Sequence, residues 1–86
     1  MNETDKAIIN TLRMWKRECR VEEPIRFKYS NKRGDELLLI IFVSEIATRS
    51  MIGYNCMHRE HFKNMLVKRL GCKIHIEFIT VDKLWV

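Results

Sequence analysis

A chain of 86 residues can build one hydrophobic core and leaves no room for a separate catalytic domain. Apolar residues make up 47% and charged residues 31%, with one proline and three glycines, so a long disordered linker is excluded and residues 1–86 are expected to fold as a single domain. Sixteen Lys and Arg against eleven Asp and Glu leave a net charge of +5, which fits a polyanionic partner such as nucleic acid as well as it fits plain solubility.

From Glu3 to about Arg20, Ile8, Leu12, Trp15 and Cys19 recur at spacings of four, three and four, while Lys6, Arg13, Lys16, Arg17 and Arg20 occupy other faces. That period predicts an amphipathic helix, with Asn2 or Thr4 as its N-cap and Pro24 as its stop. In the next segment Ile25, Phe27 and Tyr29 alternate with Arg26, Lys28 and Ser30, which predicts a strand. "NKRGD" is its turn, with Gly34 free to take a positive φ. The returning strand, Leu37 to Val43, is apolar on both faces and is therefore expected at the centre of the sheet.

Residues 44–70 return to a helical period, clearest through Phe62, Met65, Leu66, Arg69 and Leu70, and Ser44 is placed to cap the start. Gly53 inside a helix would cost roughly 1 kcal/mol against alanine. Asn55 stands where an N-cap for a second segment beginning at Met57 would be, so the reading is two helices with a joint between them. Gly71 follows Lys68 and Arg69 as a left-handed terminator, and the alternation in "KIHIEFITV" predicts a last strand.

The expected order is helix, strand, strand, helix, helix, strand: an α+β fold with a three-stranded mixed sheet and its helices on one face. A helical crossover makes the second and third strands parallel. The opposite face is left without helices, and the set of residues from the central strand that points there forms an apolar patch. Leu38, Ile40 and Phe42, with Trp85 from the terminal "KLWV", are the expected interface residues, covering the patch within the chain or against a second copy or a protein partner.

Catalytic chemistry has little support in the sequence. Cys19, Cys56 and Cys72 are odd in number and form no CxxC pair, and the N-terminal "MNETDKAII" carries no signal-peptide pattern, so free thiols and a cytoplasmic location are expected. Cys56, His58 and His61 form the one cluster of ligand types, but on a helix Cys56 points about 200° away from His58, and a fourth ligand is missing. No phosphate loop, dinucleotide fingerprint or nucleophile-base pair occurs, so neither an enzyme nor a bound metal or cofactor is expected. The apolar run "LLLIIFV" is far short of the roughly 20 residues that span a bilayer, so no membrane association is expected.

Basic residues are the remaining signal. Arg49, Arg59, Lys63 and Lys73 are placed to meet phosphates, Gly53 permits close backbone approach, and Ile52 and Tyr54 offer apolar surface to bases. The stretches "IFVSEIATRSMIGYNC" and "VKRLGCKIHIEFITVDKLW" together resemble the type II KH domain, as in the ribosome-assembly GTPase Era. The resemblance implies a loop between two helices that lets backbone approach the sugar-phosphates of single-stranded RNA or DNA. Met51, Ile52 and Gly53 match the start of that loop, and Leu70, Gly71 and Lys73 match the start of the last strand. The fourth loop position holds Cys56 where the family has a second glycine. In Trp15 of the first helix and in residues 44–70 taken as one uninterrupted crossover segment, the chain is also similar to the KH-like N-terminal domain of the replication initiator DnaA and the related module of DciA. That resemblance implies a protein-interaction adaptor in replication or phage and host regulation, acting through an apolar face or as a homodimer.

Overall fold

A computed structural model describes residues 2–31 and 34–81. The elements follow in the expected order: helix α1 (Glu3–Cys19), strands β1 (Arg26–Asn31) and β2 (Glu36–Val43), helix α2 (Glu45–Ile52), a single 3₁₀ turn (Tyr54–Cys56), helix α3 (Met57–Leu70) and strand β3 (Lys73–Thr80). Local chemistry accounts for most boundaries. The Asn2 side chain accepts from the Asp5 amide at 2.7 Å to start α1, and the Ser44 hydroxyl accepts from the Ala47 amide at 3.2 Å to start α2. Arg20 in the left-handed region (φ 56°, ψ 39°) ends α1 ahead of Pro24, so a backbone cap and not the proline makes the stop.

β2 is the central strand, antiparallel to β1 and parallel to β3. The parallel pair requires the long crossover, and α2 with α3 supplies it. Leu37, Leu39, Ile41 and Val43 of β2 are buried against the helices, together with Ile8, Leu12 and Trp15 of α1 and Phe62 and Leu66 of α3. Full burial of each large aliphatic or aromatic side chain contributes about 1.5–3 kcal/mol, so this layer carries most of the stability.

Trp15 joins four elements. Its ring stacks on Phe62 of α3 at 5.2 Å and meets Phe78 of β3 edge-on at 5.6 Å, while its Nε1–H donates to the Met51 carbonyl in the last turn of α2 at 2.7 Å. Near the N-terminal end of α1, the Tyr29 hydroxyl of β1 donates to Asp5 at 2.7 Å.

Leu38, Ile40 and Phe42 occupy the face without helices, where they are half-buried. The strand register sets them in three cross-strand rungs, Arg26–Phe42–Ile79, Lys28–Ile40–Glu77 and Ser30–Leu38–His75. The open face is thus an apolar column between a basic row on β1 and a mixed row on β3, and the Lys28 ammonium leans over the Phe42 ring at 5.8 Å. Trp85 lies outside the described residues, as do Lys32 and Arg33 of the turn. Gly34 of that turn has φ 71°, as its position requires.

Candidate nucleic-acid interface

The joint between α2 and α3 is a sharp break. Gly53 has φ 77° and ψ 177°, a combination available almost only to glycine, and a Cβ there would run into the His58 ring. Asn55 (φ 52°) and Cys56 (φ 61°) follow in the left-handed region.

Asn55 does not cap α3, contrary to the expectation from its position. An N-cap needs extended backbone to swing its side chain over the first amides, and the left-handed turn points Asn55 into solvent instead. Cys56 holds the cap position and no side chain caps the helix. The Met57 amide donates back to the Tyr54 carbonyl, and the amides after it in the first turn of α3 meet no side-chain cap at the positive end of the helix dipole. Tyr54, 82% exposed, and Met57, 64% exposed, stand on either side. Ile52, half-buried at the end of α2, backs the loop.

The other expected site residues divide between this joint and a groove beside β3. Arg49 lies one turn before Gly53 on the exposed face of α2 and pairs with Glu45 at 3.0 Å. Such exposed pairs are worth about 1 kcal/mol or less, so a phosphate can displace the carboxylate. Arg59 and Lys63 line a depression of about 210 Å³ between α3 and β3 with Ile76, Glu60 and Glu77. Lys63 continues into a larger hollow of about 620 Å³ that reaches Lys73, Asp35 and Glu36 over a floor of Val67 and Ile74. Arg59, Lys63 and Lys73 are thus brought to one groove, which runs along most of α3, a helix about 21 Å long at 1.5 Å per residue.

Glutamates in the groove offset its cations. Glu60 stands 3.7 Å from the Arg59 Nε, and Glu77 comes from the neighbouring strand. The denser basic surface is the second half of α1, where Arg13, Lys16, Arg17 and Arg20 face a single acid, Glu18. Those residues, and Met57, were not among the expected site residues. The run "RMWKRECR" was visible in the sequence, but its basic residues read simply as the polar faces of an amphipathic helix.

Cys56, His58 and His61 do not converge. Cys56 sits at the cap, the His58 ring lies beside Gly53, and His61 packs edge-on against Phe62 at 4.9 Å. Among the described residues no group of three His, Cys, Asp or Glu side chains is placed to hold a metal ion, and no helix is long and apolar enough to cross a membrane. Burial pushes the Cys19 thiol up and the Glu18 carboxylate adds to the effect, which holds it as the poorly nucleophilic thiol. No family model matches the chain, and no curated protein matches it.

Proposed function

We propose that this chain is a small non-catalytic module of KH-like fold that binds single-stranded nucleic acid through the joint between α2 and α3. The observation that carries the reading is the uncapped start of α3 behind Gly53, beside an exposed Tyr54. Phosphate oxygens accept from the amides that follow Met57 in the first turn of α3, which lack a side-chain acceptor, while the missing Cβ of Gly53 lets the His58 ring pack against the joint. Tyr54 offers a stacking surface to a base, an interaction worth about 1–3 kcal/mol. Arg49 and Arg59 flank the joint, and Lys63 with Lys73 extends the path along β3. A reducing cytoplasm suits the three free cysteines.

The acids in the groove keep the number of phosphates engaged small. For three or four of them, log K against log[salt] is expected to fall with a slope of roughly −2 to −3, at about −0.7 per single-strand phosphate. Fluorescence anisotropy with labelled single-stranded RNA and DNA at two salt concentrations measures this. Absence of binding at ~100 μM protein in low salt, inside the usual non-specific range, overturns the reading. The double variant Tyr54→Asp/Asn55→Asp tests the joint itself. Both side chains are exposed and aspartate tolerates the left-handed region, so the fold is expected to stand while affinity falls about tenfold or more. Binding at full strength would remove the joint from the interface.

A further inference from the structure

We propose that the open face of the sheet is closed by a second copy of this chain, related by a two-fold axis that runs close to the strand direction above β2. This interface uses the sheet face that α1, α2 and α3 leave uncovered, and it meets the groove of the nucleic-acid reading only at the β3 edge, through His75 and Glu77.

The central column Leu38, Ile40 and Phe42 is apolar and reaches Ile79, which is 42% exposed, across the Phe42 rung. The rows beside it differ in charge. β1 presents Arg26 and Lys28, whereas the same two rungs on β3 carry Ile79 and Glu77. Two sheets stacked face to face can be related by a two-fold axis in the plane between them, and the direction of that axis decides which rows meet. An axis across the strands lays β1 on β1 and brings Arg26 and Lys28 against their own copies. An axis along the strands lays β1 on the β3 of the second copy and preserves the rungs.

In that second arrangement Lys28 faces Glu77 of the other copy, and the pair occurs twice by symmetry. Ser30 faces His75, Arg26 covers Ile79 with its aliphatic stem, and the column of Leu38, Ile40 and Phe42 packs on itself. Stacked sheets lie about 10 Å apart, a gap that a lysine and a glutamate extended toward each other can bridge. The two Lys28–Glu77 pairs favour a second copy in this orientation, and they outnumber the one like-charge contact it makes, Glu36 at the end of the column, which His75 pairs at 3.7 Å.

The footprint is small. Three strands about 4.8 Å apart and six to eight residues long at about 3.3 Å each cover roughly 350 Å² per copy, below the area of stable interfaces and in the range of weak, transient ones. A reversible dimer with a dissociation constant on the order of 10–100 μM is the expected strength.

Sedimentation equilibrium of the full chain between about 10 and 500 μM tests the proposal, with far-UV circular dichroism to confirm folding. The unsubstituted chain is expected to dimerise. Lys28→Glu alone and Glu77→Lys alone place like charges across the interface, and each is expected to weaken dimerisation at least tenfold. An equimolar mixture of the two variants restores both attractive pairs and is expected to dimerise about as tightly as the unsubstituted chain. A within-chain effect of either residue cannot produce that recovery. An unsubstituted chain that stays monomeric at 500 μM, as it would if residues 82–86 covered the face, overturns the proposal. So do folded single variants that dimerise undiminished, or a mixture of folded variants that stays monomeric.

Discussion

Replacing Trp15 with alanine is expected to destabilise the fold by about 3–5 kcal/mol, the range for truncating a fully buried aromatic side chain. A domain of this size holds roughly 4–13 kcal/mol in total, so the variant should lose about a quarter of its stability at least, and urea or thermal denaturation followed by circular dichroism measures the loss. The effect is large because the residue serves three partners at once: the Phe62 ring, the Phe78 edge and the Met51 carbonyl. Trp15→Phe separates these contributions. It keeps an aromatic ring for stacking but leaves the buried Met51 carbonyl without its donor, at a cost of about 1–3 kcal/mol. That carbonyl belongs to the last turn of α2, whose C-terminal acceptors lack intrahelical donors. Amide exchange in Trp15→Phe should therefore quicken first around residues 49–56. A uniform change across all three helices would mean that Trp15 fills space and does not hold the joint.

Gly53→Ala carries the second large effect, about 2–4 kcal/mol of destabilisation. One part is the backbone, since φ 77° with ψ 177° costs a residue with a Cβ about 1–3 kcal/mol. The other part is the collision with His58, where a change of χ1 swings the ring away but leaves its Cβ at a tight 3.2 Å. The double variant Gly53→Ala/His58→Ala should recover part of the loss by clearing the ring while the dihedral cost remains. If Gly53→Ala is as stable as the unsubstituted chain in denaturant titrations, the joint does not have this backbone. Gly53 is consequently a poor position at which to test ligand binding, because substitution disturbs the fold together with the loop.

Cys56→Gly offers the contrast. Cys56 holds a left-handed conformation, φ 61° and ψ 23°, that costs a side-chain-bearing residue about 1–2 kcal/mol. Glycine relieves that strain and gives back roughly 0.5–1 kcal/mol through the greater freedom of the unfolded chain. The measured stability should stay within about 1 kcal/mol of the unsubstituted chain, and Cys56→Val should fall well below it, because a β-branched residue tolerates this region poorly. The fourth position of the loop thus has the backbone a glycine would take, with a cysteine standing in it.

The order of elements was legible in the sequence because each rests on a local period or a local cap. Ile8, Leu12 and Trp15 mark one face of α1, the side chains of Asn2 and Ser44 meet amides three residues ahead, and Gly71 ends α3 in the left-handed region. The uninterrupted apolar run of Leu37 to Val43 pointed to a central strand, and β2 lies there with neighbours on both sides. For the joint, the glycine signalled a break but the cap was misplaced. Asn55 has the composition of an N-cap, and only the backbone that follows Gly53 turns it out to solvent.

Properties that depend on register and on the meeting of distant segments were decided by the tertiary structure alone. The alternation in β2 defines two sets of residues without saying which is buried; burial of Leu37, Leu39, Ile41 and Val43 follows from the side on which the α2–α3 crossover packs. The Trp15 hydrogen bond spans 36 positions, and no local pattern encodes it. Arg59 and Lys63 read as a basic helix face until β3 brings Glu77 beside them. Lys28 and Glu77 share a rung only through Ile40 between them, a juxtaposition that the strand register creates. Periodicity and capping act over three or four residues and are written in the chain; charge balance and surface complementarity arise between segments far apart in sequence, and the fold alone brings those together.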